Sequence, residues 1–509
     1  MQPRLLAGAA MLAALFPCQS AAAAGEPSNY LRCDGQPDNI GDGETAARVL
    51  GAVTLLGLFA PGNEVADPSQ RRTGAEGVAA CTAALTGEAN DRRRAELILA
   101  RAVHHIEAND FDAAVADARS VAADRPAFSG TPYFRMSFGL AAMDIEALAL
   151  TARGRHAEAA AKAMEMADAA PYDVLNMLRA VRYVGANATF GEAERRFYDR
   201  AVRLYPIAVL DRAGARNFAG DWRGAAEDYA LLSRVFASAI ARPVASALGN
   251  AAIARALAGE GEAADALGRE AQAAVDADAA AGRTAGVTAG REVIDLLRIL
   301  RTFQNGNAAE ARLLFAARSG WEAPHAAAVS EIARRLREGA ADAQLTGLLA
   351  GDPARFRTAS IELRRRNIFG GENAAKDYHR ALRDYAGERA YGRFSGNVWR
   401  EGRSRYFARE ENKDNHARLV TVGRDGGGTP AGYALLLHSA LVARAEGRSR
   451  FMLLPAQSAV YAAFVRTGNP GDERIVDQVS FDTEQVIADL SPLVPRAAAG
   501  AAARTGRSR

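Results

Sequence analysis

The stretch RAELILARAVHHIEANDFDAAVADARSVAADRP, residues 94–126, reads as a helix, a short turn and a second helix. Leu97, Ala100, Arg101 and His104 recur at three- and four-residue steps, as do Ala114, Ala118 and Val121. That spacing places each set on one helix face. Asn109 and Asp110 separate the two patterns, because their short polar side chains suit turns and caps better than helix interiors. Ala102 and Ala114 are small enough to let two helix backbones approach closely. Pro126 closes the unit, since it can neither donate a backbone hydrogen bond nor continue a helix.

The pattern returns further along. A second copy carries Arg212-Ala213, Gly220-Asp221-Trp222, Ala225 and Tyr229. Degraded copies carry Ala147, Gly154, Ala159, Ala163 and Pro171; then Tyr198, Ala201 and Pro206; then Ala252, Gly259 and Ala264; then Gly306, Ala311 and Phe315. Residues 94–318 therefore resemble the tetratricopeptide repeat, a helix pair of about 34 residues. The prolines at 126, 171 and 206 are spaced 45 and 35 residues apart, so the first gap holds an insertion. The resemblance implies a solenoid of helical hairpins, because each pair must bury its apolar face on a neighbour. It also implies a concave surface lined by the first helix of each pair. In the first copy that surface would present Glu96, Leu99, Val103 and Ile106; in the copy with Trp222, Ile207, Leu210, Gly214 and Asn217. The Lys, Asn and Arg set with which some relatives clamp a peptide carboxylate is absent from these positions. A surface this apolar suits an amphipathic helix or an extended segment, or else packing against the chain's own next domain.

Composition agrees with helix on helix. Hydrophobic residues make up 49% of the 509-residue chain, many of them alanine, and aromatics only 7%. A net charge of +3 gives no basic stripe for nucleic acid. Residues 1–24 have the layout of a secretion signal: Arg4, an apolar run from Leu5 to Phe16, and Ala22-Ala23-Ala24 at the cleavage site. Export to the periplasm is expected, with no transmembrane segment in the mature chain. Cys18 raises a lipid-anchor reading, against which stands Pro17 where a small residue is usual. Cleavage would leave Cys33 and Cys81, which in an oxidising compartment suggest one disulfide; the alternative is two unrelated buried thiols.

Residues 25–93 read as a helical cap on the array. They open on a polar loop, CDGQPDNIGDGE, whose Asp34, Asp38, Asp42 and Glu44 lack the spacing of a calcium loop. Helices are expected at 46–59 and 74–86, the latter resembling the short cysteine-bearing helix that precedes such repeats in secreted bacterial proteins. Residues 321–395 continue as helix, with charged faces at 331–337 and 362–367 expected to be solvated. Residues 396–494 read as a small α/β domain: strands at 405–408 and 417–422, a turn at 423–429, a helix at 430–447, a strand at 451–454 and a helix at 483–490. Its run GYALLLHSALVARAEGRSRFMLLP, with the later DTEQVIADL, resembles the core of small proteobacterial lipoprotein domains of unknown function. Residues 495–509, mostly Ala, Gly and Arg, are expected to be disordered.

No active-site motif stands out. His104 and His105 point to different helix faces, and His156, His325, His379, His416 and His438 are scattered. Gly426-Gly427-Gly428 lacks the Gly-Lys-Ser/Thr that would follow in a nucleotide loop, and His438-Ser439 are mere sequence neighbours. Neither a metal nor a cofactor is expected. The sequence thus points to an exported scaffold, not an enzyme, binding a protein or peptide partner. The alternative is that the C-terminal domain is an enzyme or small-ligand module which the repeats position.

Overall fold

A computed structural model of the chain describes residues 26–37, 66–124, 126–240, 243–321, 325–369, 407–412, 417–422, 429–455 and 462–493. The expected leader with Cys18, the 46–59 helix, the glycine run at 426–428, His379, His416 and the C-terminal tail lie outside them. The chain divides into two units, residues 1–109 and 110–509.

The first unit holds helices α1 (Asn29–Asp34), α2 (Gly74–Leu85) and α3 (Asp91–Glu107). Ser28 caps α1 through its hydroxyl, and Gly35 ends it at φ 74°, a conformation that costs glycine little. The Sγ atoms of Cys33 and Cys81 stand 2.07 Å apart, at disulfide-bonding distance, and join α1 to α2. The polar loop expected at Asp34 is in part a helix end. Its carboxylate takes two hydrogen bonds, of 2.6 and 3.0 Å, from Arg93. Arg93 is 1% exposed, and a third bond, to the Gln36 carbonyl at 3.2 Å, occupies it further. His104 is equally enclosed. Its Nε2 donates to the Cys33 carbonyl at 2.7 Å and its Nδ1 lies 2.7 Å from Glu107. Only a glycine at 77 admits that ring, for a Cβ there would fall 2.3 Å from Nδ1.

The second unit is mainly helical, with a small antiparallel sheet. Its helices are α4 (Phe111–Ala123), α5 (Leu140–Ala152), α6 (His156–Ala169), α7 (Val174–Asn187), α8 (Glu192–Leu204), α9 (Val209–Ala219), α10 (Trp222–Ile240), α11 (Ala245–Leu257), α12 (Gly261–Ala280), α13 (Thr284–Gln304) and α14 (Ala308–Ala316). A π-helical turn, Arg135–Gly139, leads into α5. Helices α15 (Ala326–Arg337) and α16 (Ala354–Phe369) follow. Sequence neighbours pack on one another. The turn between α9 and α10 shows why: Gly220 is left-handed at φ 77°, and Asp221 then accepts a hydrogen bond from the Gly224 amide at 3.0 Å. The same left-handed position recurs at Gly154, Gly259 and Gly306. Arginine at 212 is buried because Asp228 takes its Nε and Nη2, at 3.0 and 2.6 Å, and Asp199 its Nη1 at 2.7 Å. Leu296, Leu300, Phe315, Val329, Ile332 and Leu336 make a shared core for α11 and α13 to α15.

The sheet follows. Its strands are β1 (Phe407–Asn412), β2 (Ala417–Val422), β3 (Arg450–Pro455), β4 (Ala462–Gly468) and β5 (Ser480–Asp482), in the order β1-β2-β4-β3-β5 and antiparallel throughout. Leu453 pairs with Val465 and Phe451 with Phe481, whose rings stack at 5.2 Å. Helix α17 (Thr429–Ala445) packs on β2 to β4 and on α7 and α18 (Thr483–Leu490). Every residue from Leu435 to Ala443 is therefore buried, as an apolar run of this kind requires. The first two residues of the strand expected at 405–408 lie outside the described residues, and β4 and β5 have no counterpart in the sequence reading. No helix among the described residues is long and apolar enough to cross a membrane.

Candidate functional site

Two places in the second unit gather unusual polar chemistry. The first is the face of α7 and α9 that the chain's own α16 covers. Arg364 of α16 lies against it. A Cβ built on Gly214 would lie 2.9 Å from its Nη2, and one on Gly185 would lie 3.6 Å from its Nη1. The Phe218 ring receives two guanidiniums, Arg364 at 5.0 Å and Arg357 at 5.3 Å from its centroid. These arginines are seven residues apart, two turns along one face of α16. Arg364 and Arg365 also reach the Gly185 and Ala186 carbonyls, each at 3.4 Å. Those carbonyls belong to the last turn of α7, the negative end of its dipole. Burial pushes the Asp211 carboxyl up, and Arg364 opposes that shift. The Tyr198 hydroxyl, fully enclosed nearby, has no hydrogen-bond partner among the described residues.

The charged face at 362–367, expected to be solvated, is thus partly an internal contact. Arg364 meets the Phe218 ring and Arg364 and Arg365 the last carbonyls of α7, while Arg366 is exposed. Of the residues expected to line a groove on α9, Gly214 meets α16. Leu210 is 43% exposed, Ile207 is half-buried in the turn at 206–208, and Asn217 donates to the Tyr229 hydroxyl at 3.1 Å. The residues that face α16 are Asp211, Gly214 and Phe218, about one position further round the helix. In the first unit, Leu99 and Val103 are buried, Ile106 is half-buried, and Glu96 accepts from Arg93 at 3.2 Å.

The second place is a cleft of about 550 Å³ between helices and sheet. One wall is built from Arg135 and Met136 of the π turn, Tyr172, and Arg200, Arg203 and Leu204 of α8. The other is Tyr433 of α17, Arg450 of β3, Asp477, Phe481, Asp482, and Val486 and Asp489 of α18. Tyr172 donates its hydroxyl to Asp489, and burial together with that carboxylate raises its pKa, so the phenol stays protonated. Its ring meets Tyr433 edge-on at 6.4 Å.

No family model, curated protein or solved structure matches this chain. Function must be argued from these two places. Elsewhere, the Ser439 hydroxyl donates to the Leu435 carbonyl of its own helix at 2.7 Å, and His325 meets Asn250 at 3.0 Å. Among the described residues, no three His, Cys, Asp or Glu side chains are grouped as a metal would need. Sequence reading missed Arg364 and the cleft arginines alike. An arginine on an amphipathic helix signals nothing until its partner, far along the chain, is known.

Proposed function

We propose that this protein is an exported binding scaffold: a tetratricopeptide-like solenoid of helical hairpins whose concave face takes a protein or peptide partner. One observation carries the reading. Helix α16 lies on α7 and α9 with two arginines on one ring and a guanidinium against the last carbonyls of α7. We infer that a face which receives a helix in this way also takes a helix of another chain, since amphipathic helices laid in grooves are a recurring mode of recognition. The partner is then a helix bearing arginines two turns apart, and it takes the place of α16. The secretion-signal layout of residues 1–24 supports the exported location.

The test uses the full chain with Arg357→Glu and Arg364→Glu, which loosens α16, and a labelled synthetic peptide of residues 354–369 with the unaltered sequence. Anisotropy should show the peptide binding the variant roughly tenfold or more tighter than the unaltered protein, whose face is occupied. The same peptide with both arginines replaced by glutamate should not bind. A variant that keeps its circular dichroism yet ignores the peptide would remove the basis of the proposal.

A further inference from the structure

The cleft between α8 and the sheet carries charges that divide into two groups. Its carboxylates are largely committed to internal donors. Asp489 accepts from Tyr172 and, at 2.8 Å, from Gln485 Nε2; Asp482 accepts from the Gln485 amide at 2.9 Å and so caps α18. Two of its guanidiniums, those of Arg203 and Arg450, are not. Arg200 pairs through Nη2 with Asp168, but its buried Nε has no hydrogen-bond partner among the described residues. The side chains of Arg203 and Arg450 make neither an ion pair nor a hydrogen bond with any described residue. Among the described residues Arg135 is held only by the Gly130 carbonyl, at 3.1 Å. Asp477 is the one cleft carboxylate for which no such donor is found among the described residues. Two unpartnered guanidiniums, Arg203 of α8 and Arg450 of β3, thus line a space large enough for a small molecule.

We propose that this cleft binds an amphipathic anion, a carboxylate or phosphate carried on an apolar stem. Arg203 from the helical side and Arg450 from the sheet would grip the head, because a guanidinium offers paired donors that match either group. Arg200 Nε adds a donor that is desolvated without a present acceptor, which is costly until an anion arrives. The stem would lie on Met136, Leu204, Tyr433, Phe481 and Val486. Aliphatic and aromatic groups there favour a chain over a bare ion. A bound anion would bridge α8 and β3, so occupancy would stiffen the junction of helices and sheet. The inference is independent of the face of α7 and α9.

The test is titration calorimetry of the full chain with octanoate, octyl phosphate and octylammonium. The first two distinguish a carboxylate from a phosphate head, and binding of either supports the proposal. Octylammonium carries the same stem with the opposite charge and should not bind. Arg203→Gln with Arg450→Gln should weaken the anion roughly tenfold or more, the loss expected for charge-assisted hydrogen bonds. The corresponding pair of lysine substitutions, which retain charge without the fork, should fall between. Equal binding of octylammonium, no binding of either anion, or an unaltered affinity in the folded glutamine variant would each overturn it.

Discussion

Glu107 sits where three elements of the first unit meet. Its carboxylate accepts from the Gly74 amide at 2.9 Å, at the start of α2, and also meets His104 and Arg71. Burial alone would raise its pKa, but the hydrogen bonds from His104 and the Gly74 amide, with the Arg71 guanidinium, hold it below its ordinary value. A carboxyl depressed in the folded state stabilises that state above its unfolded pKa, about 4.3, and the benefit disappears as pH falls through the folded value. Glu107→Gln should therefore melt below the unaltered protein at pH 7, and the gap should close as pH drops below about 4. A gap that stays constant from pH 7 to 3 would show that Glu107 acts through packing alone. The sequence marks none of this. His104 appears only as an apolar-face position, and Asp34 as a residue in a polar loop. Their roles depend on Cys33 and Arg93, and neither spacing nor propensity registers a partner 59 residues away, as Arg93 is from Asp34.

At the scale of elements, glycine sets how near the helices lie. A Cβ on Gly249 of α11 would meet the Val293 Cγ2 of α13 at 2.4 Å, and Val293 is fully buried with little room to move. Gly249→Ala should destabilise the second unit by about 1–3 kcal/mol, in spite of alanine's better helix propensity, because overpacking outweighs it. Urea unfolding measures the difference, and a more stable variant would refute the close approach. Helices were the most readable elements: the three- and four-residue steps around Ala114 and Ala118, or Arg212 and Ala225, mark faces that are in fact buried. The last helix, Thr483–Leu490, has the bounds its sequence suggests. Strands were harder. β5 is three residues long, too short for alternation to show, and β4 runs AAFVRTG, with an arginine that is buried rather than turned to solvent.

For the whole molecule, the division after Asn109 places the Cys33–Cys81 pair in one unit only. Closing a loop of this separation, 48 residues, restricts the unfolded chain by roughly 4 kcal/mol. Reduction should therefore speed amide exchange across residues 29–34 and 74–107 and leave that of residues 245–336 unchanged. Exchange that quickens equally in both would mean the units do not unfold separately. What no local pattern discloses is the return of α16 to α7, where Arg364 meets a carbonyl 179 residues earlier in the chain. That return has a quantitative consequence. A helix leashed to the surface it packs on competes for that surface at an effective concentration on the order of millimolar. Any free helix of equal intrinsic strength would look like a feeble ligand of the resting protein, and the feebleness would measure the leash instead of the fit.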